Sequence, residues 1–117
     1  MSEICGYIFY GIFGGSIIIL PYKNPGNGAY LWIDVTNAHG EFYKVGLNDH
    51  QIDAVIDALA RNVTTSFKDH SDAWLKIDQF ENHTRFSVIT NRGSAECFVS
   101  KTHMDEIIHA IYKARQQ

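Results

Sequence analysis

The sequence predicts an α+β fold: an antiparallel sheet of about six to seven strands with two helices packed on one face. Two observations carry this. Segments that alternate apolar and polar residues follow one another in hairpin order, separated by clusters of Gly, Asn and Pro. Each run of such segments ends in a stretch with apolar residues at i, i+3, i+4 and i+7, the spacing of one helix face. Parallel pairing would need a crossover after every strand, so helices held to the ends of the runs favour antiparallel hairpins.

The elements follow in order. Cys5 to Phe13 and Ser16 to Tyr22 are rich in Ile, Tyr and Phe, and Gly14-Gly15 between them supplies a turn. The apolar run from Ile4 to Leu20 is 17 residues long, at the short end of a membrane-spanning helix. Gly6, Gly11, Gly14, Gly15 and the β-branched Ile17-Ile18-Ile19 disfavour a helix there, and Glu3 in place of a basic residue disfavours a secretory signal. The expected location is the cytoplasm, with no membrane partner. After the turn Lys23 to Gly28, the segment Tyr30 to Thr36 alternates Leu31, Ile33 and Val35 with Tyr30, Trp32 and Asp34; Tyr43, Val45 and Leu47 return after Asn37-Ala38-His39-Gly40. Asn48 as N-cap with Gln51 three residues on opens a helix to Asn62 whose apolar face is Ile52, Val55, Ile56 and Leu59.

The polar stretch Val63 to Asp72 reads as a connection. Trp74, Leu75 and Ile77 then open a hairpin that turns at Glu81-Asn82-His83 and returns through Phe86, Val88 and Ile89; Asn91 to Ser94 turns into Ala95, Cys97 and Val99. A Thr102-x-x-Asp105 capping box precedes a last helix with Met104, Ile107, Ile108 and Ile111 on its apolar face. The two helical quartets correspond at an offset of 52 residues and the strands before the Asn turns at 54. This suggests a βββα duplication within one domain spanning residues 1–117, with pseudo-repeats at 16–62 and 73–117.

Chemistry-bearing patterns are sparse. Cys5 and Cys97 lie at opposite ends of the chain with no C-x-x-C spacing, so a zinc knuckle or dithiol motif is absent and two reduced, buried thiols are expected. No His-x-x-x-His, His-Glu-x-x-His or calcium-loop pattern occurs, so no metal or cofactor is expected. Gly11-Ile-Phe-Gly14-Gly15-Ser16 lacks the lysine and following helix of a phosphate loop, and no serine stands in a nucleophile elbow. Asn62-Val63-Thr64 and Asn82-His83-Thr84 match a glycosylation sequon that a cytosolic chain would not use. Asp49-His50 and His103-x-Asp105 are close in sequence, but neighbours at i+1 or i+2 on a helix face different ways.

Charge is more informative. Thirteen acids and ten bases give a net charge of -3, which disfavours direct nucleic-acid binding. Residues 1–60 hold six acids and two bases, a balance of -4, and the remainder seven acids and eight bases, a balance of +1. Asp49, Asp53 and Asp57 recur every fourth residue, a stripe of carboxylates along one side of the first helix. With Asp34 and Glu41 they form the expected partner-binding residues, suited to electrostatic capture of a basic protein. The function expected is a non-catalytic cytosolic inhibitor, a bacterial immunity protein neutralising a cognate toxin, most plausibly a basic nuclease; a phage-encoded inhibitor of a host defence complex would look the same. A different class, a small enzyme or ligand-binding module, would use His39, His50 or His103 beside a carboxylate pocket. A third, a structural subunit, would assemble through exposed sheet edges.

Overall fold

A computed structural model describes residues 6–24 and 29–116. Cys5, Glu3 and most of the predicted turn at 23–28 lie outside the described residues. The order is β1 (Tyr7–Tyr10), β2 (Ser16–Asn24), β3 (Ala29–Thr36), β4 (Phe42–Leu47), α1 (Asp49–Arg61), β5 (Thr65–Lys68), β6 (Trp74–Gln79), β7 (His83–Thr90), β8 (Gly93–Ser100) and α2 (Met104–Gln116), the last entered through a 3-10 turn at Lys101–His103. The class is α+β with antiparallel pairing, as expected. Instead of one sheet of six to seven strands, however, there are two four-stranded sheets, β1-β2-β3-β4 and β5-β6-β7-β8.

The difference has two causes. Thr65, Ser66 and Lys68 surround the single aromatic Phe67, so β5 shows no apolar alternation and reads as part of a polar connection. Alternation also tells which residues of a strand share a face but not which edge the strand joins.

Local chemistry explains the helices. The Asn48 side chain accepts from the Gln51 N–H at 3.0 Å while Gln51 Oε1 accepts from the Asn48 N–H at 3.1 Å, the reciprocal capping box. Asn62 closes α1 in the left-handed region at φ 58°. Before α2 it is Ser100, not Thr102, that caps, its hydroxyl accepting from the Thr102 N–H at 3.3 Å. Gly14 and Gly15 both take positive φ, and a side chain at Gly15 would strike the Thr36 carbonyl, so the turn between β1 and β2 requires glycine.

The inward faces of both sheets and the apolar faces of both helices share one core. Ile17, Ile19, Leu31, Ile33, Val35, Val45 and Leu47 meet Leu75, Ile77, Phe86, Val88, Cys97 and Val99, with Ile52, Val55, Ile107 and Ile111 from the helices. The helices pack on each other; α2 rests on β2 and β3, and α1 on β3, β4 and β5. Ile56 and Ile108, expected in the core, are only half-buried at its margin, while the small Ala58 and Ala110 lie inside where the helices need close approach. Matching positions at the offset of 52 therefore face the same way in both helices. The strand correspondence at 54 does not behave so: it sets inward Leu31, Ile33 and Val35 of β3 against Arg85, Ser87 and Ile89, which alternate with the inward Phe86 and Val88 of β7.

Asp69 joins the two sheets. It is buried just after β5; its Oδ2 accepts from the Gly46 N–H on the outer edge of β4 at 3.0 Å. Oδ1 accepts from the Ser71 N–H and hydroxyl, both at 2.8 Å, and from the Ala73 N–H at 3.0 Å. Burial alone would raise the pKa of this carboxyl, but the hydrogen bonds from Gly46, Ser71 and Ala73 favour the charged form and hold it below the usual carboxylate value. A second polar node holds the end of α1: Gln79 Nε2 donates to the carbonyls of Ala58 and Val63, and its Oε1 accepts from the Thr84 hydroxyl and the Lys101 ammonium.

Two outcomes follow for stability. Asp69→Ala should lower it at pH 7 by about 2 to 4 kcal/mol, because three backbone N–H groups lose their acceptor. A depressed pKa contributes stability above the unfolded value that is lost as pH falls through the folded one, so the urea stabilities of variant and wild type should draw together as pH falls below the ordinary carboxylate range. A difference independent of pH would mean the carboxylate charge is not what holds the clamp. In the core, Ile52→Ala and Ile107→Ala should each cost about 2 to 5 kcal/mol, and Ile56→Ala and Ile108→Ala distinctly less.

Candidate binding face

Because successive strand residues point to opposite faces, the burial of Ile17, Ile19, Leu31, Ile33, Val35 and Val45 sends the alternate set outward. The register places Ile8, Ile18, Asp34 and Lys44 in one row across the four strands of the first sheet. Leu20, Trp32 and Gly46 form the row on one side; Tyr10, Ser16, Thr36 and Phe42 form the row on the other. Tyr10 is 69% exposed, Phe42 63%, Ile8 47% and Tyr30 45%. Large apolar side chains exposed on one sheet face make that face a candidate contact surface.

Asp34 lies among them. One of its carboxylate oxygens is shielded from solvent yet has no hydrogen-bond partner, and the side chain forms no ion pair with a described residue. Burial pushes its pKa up, and the opposing attraction of Lys44 only partly offsets this. Lys44 holds its ammonium 4.9 Å from the centre of the Trp32 ring, and Tyr22 meets the same Trp32 ring edge-on with ring centroids 4.7 Å apart.

The other acids singled out by sequence have partners. Arg115, from the last turn of α2, donates to Asp53 Oδ1 at 2.7 Å and to the Asp49 carbonyl at 3.0 Å, with its Nε 3.6 Å from the Asp49 carboxylate. Arg61 lies 3.6 Å from Asp57, one helical turn on. Glu41 accepts from the Asn37 side chain at 3.1 Å within the turn between β3 and β4. The stripe is thus partly a helix-to-helix clamp. Arg61 at i+4 from Asp57 was legible in sequence; Arg115, 62 residues from Asp53, was not, since only tertiary packing brings it there.

The histidines are dispersed. His39 sits in the turn between β3 and β4, His50 is exposed in the first turn of α1, and His103 Nδ1 is 3.7 Å from Glu106 rather than from Asp105. Among the described residues no group of His, Cys, Asp and Glu could hold a metal ion. Burial pushes the Cys97 thiol up to about 11, which leaves it a poor nucleophile at neutral pH. No described helix is long and apolar enough to cross a membrane, and the described part of the Ile4–Leu20 run forms β1, a turn and β2.

An acid whose folded pKa is raised destabilises the fold increasingly as pH rises from its unfolded value through the folded one. Asp34→Asn should therefore melt higher than wild type at pH 7 and approach it near about pH 3. Equal melting temperatures across this range would contradict the burial of the carboxylate.

No protein-family model matches the chain, and no curated protein is similar to it in sequence, so the functional reading rests on this face.

Proposed function

We propose that the protein is a non-catalytic inhibitor of the immunity type, which neutralises a basic toxin by covering it with the outer face of the first sheet. The observation that carries this reading is the exposed Ile8, Tyr10, Tyr30 and Phe42, with half-buried Trp32, on the face that holds Asp34, one of whose carboxylate oxygens has no hydrogen-bond partner. Aromatic anchors surrounding one desolvated charge are the composition of an interface centre, where a few residues supply most of the affinity. One carboxylate oxygen of Asp34 is shielded and unbonded, so a guanidinium brought to it would satisfy an acceptor that the free protein leaves bare. The net charge of -3 steers a cationic partner toward encounter. Asp49, Asp53 and Asp57 contribute to that long-range field, while the clamps from Arg115 and Arg61 leave them less to offer on contact.

The test uses the product of the adjacent gene, since an immunity gene ordinarily neighbours its toxin. Co-expression of the wild-type protein should rescue growth, and calorimetry should give a tight complex. Asp34→Lys and Trp32→Ala should each weaken the complex at least about thirtyfold, whereas Asp49→Asn, Asp53→Asn and Asp57→Asn together should slow association only a fewfold, more so at low salt. Undiminished affinity in folded Asp34→Lys would overturn the assignment of this face; loss of the complex in the triple variant alone would move the interface to α1.

A further inference from the structure

The outer face of the second sheet is built differently. Phe13 and Gly14 from the turn between β1 and β2, with Asn37 and His39 from the turn between β3 and β4, border a cleft of about 600 Å³ over β6, β7 and β8. Lys76, Ser87 and Glu96 form one row across these three strands. Ser87 is buried between them, and neither Lys76 nor Glu96 forms a hydrogen bond or ion pair with a described residue. Arg85, in the next row, is committed: its Nε and Nη2 lie 3.2 and 2.9 Å from Asp78 Oδ2, and its guanidinium rests between Phe80 and Phe98. Phe13 meets Phe98 edge-on at 5.5 Å, giving the cleft an aromatic wall.

We propose that this cleft binds a small zwitterion with an apolar side chain, a free α-amino acid of the aromatic or branched type. Lys76 takes the carboxylate, Glu96 the ammonium, and the side chain lies against Phe13, Phe98 and Ile89. Two inter-strand intervals set the backbones of Lys76 and Glu96 about 9.5 Å apart across Ser87, so both flexible side chains border the same stretch of the cleft. Their charged ends can therefore meet the carboxylate and the ammonium of one amino-acid head group, each through a charge-assisted hydrogen bond. The cleft carries one uncommitted charge of each sign, so a ligand with a single net charge would leave one of them opposed or bare. This site shares no side chain with the face assigned to the inhibitor, so either assignment stands or falls without the other.

L-phenylalanine is the probe, followed by amide NMR shifts in the full-length protein. Saturable shifts at Ser87, Ser94 and Glu96 are expected, with a dissociation constant on the order of 1 mM or below, as suits a ligand of this size. N-acetylphenylalanine and phenylalanine amide, which each lack one charge, should bind at least about tenfold more weakly. Lys76→Met should abolish the discrimination against the amide, and Glu96→Gln that against the acetylated form, each with an otherwise wild-type spectrum. Asp34→Lys should leave the shifts unchanged. Equal binding of 3-phenylpropionate would overturn the zwitterion in favour of an anion site, and absence of saturable shifts would overturn the cleft as a ligand site.

Discussion

One buried carboxylate decides how the two sheets coexist. Asp69 stands where a ninth strand would pair, taking the Gly46 N–H on the open edge of β4 and tying it to the turn between β5 and β6. The opposite exposed edge, that of β8, is met by the turn between β1 and β2, where the Ile12 N–H donates to the Phe98 carbonyl at 2.8 Å. Each half thus closes an edge of the other. The remaining edges belong to β1 and β5, four residues each, too short to template extended growth. With the inward faces consumed by a common core, the outward faces are what the molecule presents, and this weakens the view of it as an edge-assembled structural subunit.

Those two outward faces differ in charge. In the second sheet Lys68, Lys76, Asp78, Arg85 and Glu96 point outward beside Trp74, Ile89 and Phe98, so charged and apolar side chains are mixed. The first sheet points Ile8, Ile18, Leu20, Trp32 and Phe42 outward, with Asp34 and Lys44 as the charged residues of the row through Ile8 and Ile18. The same backbone architecture would tolerate polar residues at these positions. Their apolar character is what the proposed partner would account for.

Much of this was legible in sequence, for reasons that can be traced to residues. The Asn48/Gln51 box, the apolar faces of both helices, the Gly14-Gly15 turn and the inward Leu31, Ile33 and Val35 are local patterns, and local patterns survive folding. What could not be read depends on residues far apart. β5 is polar because it needs only Phe67 and Thr65 facing inward; Asp69 looks like one more loop acid until its acceptors find Gly46, 23 residues away. The acidic stripe gained its meaning only when α2 brought Arg115 to it. Asp34 was named among the sequence acids, yet its special position, an acid among outward aromatics, emerged from the register of the four strands.

The most direct test of the proposed binding face is hydroxyl-radical footprinting of the protein alone and with the product of the adjacent gene, read residue by residue. The account predicts strong protection on binding at Tyr10, Tyr30, Trp32 and Phe42, with Trp74 and Phe80 of the second half reacting as in the free protein. Protection at Trp74 and Phe80 with the first four unchanged would contradict it.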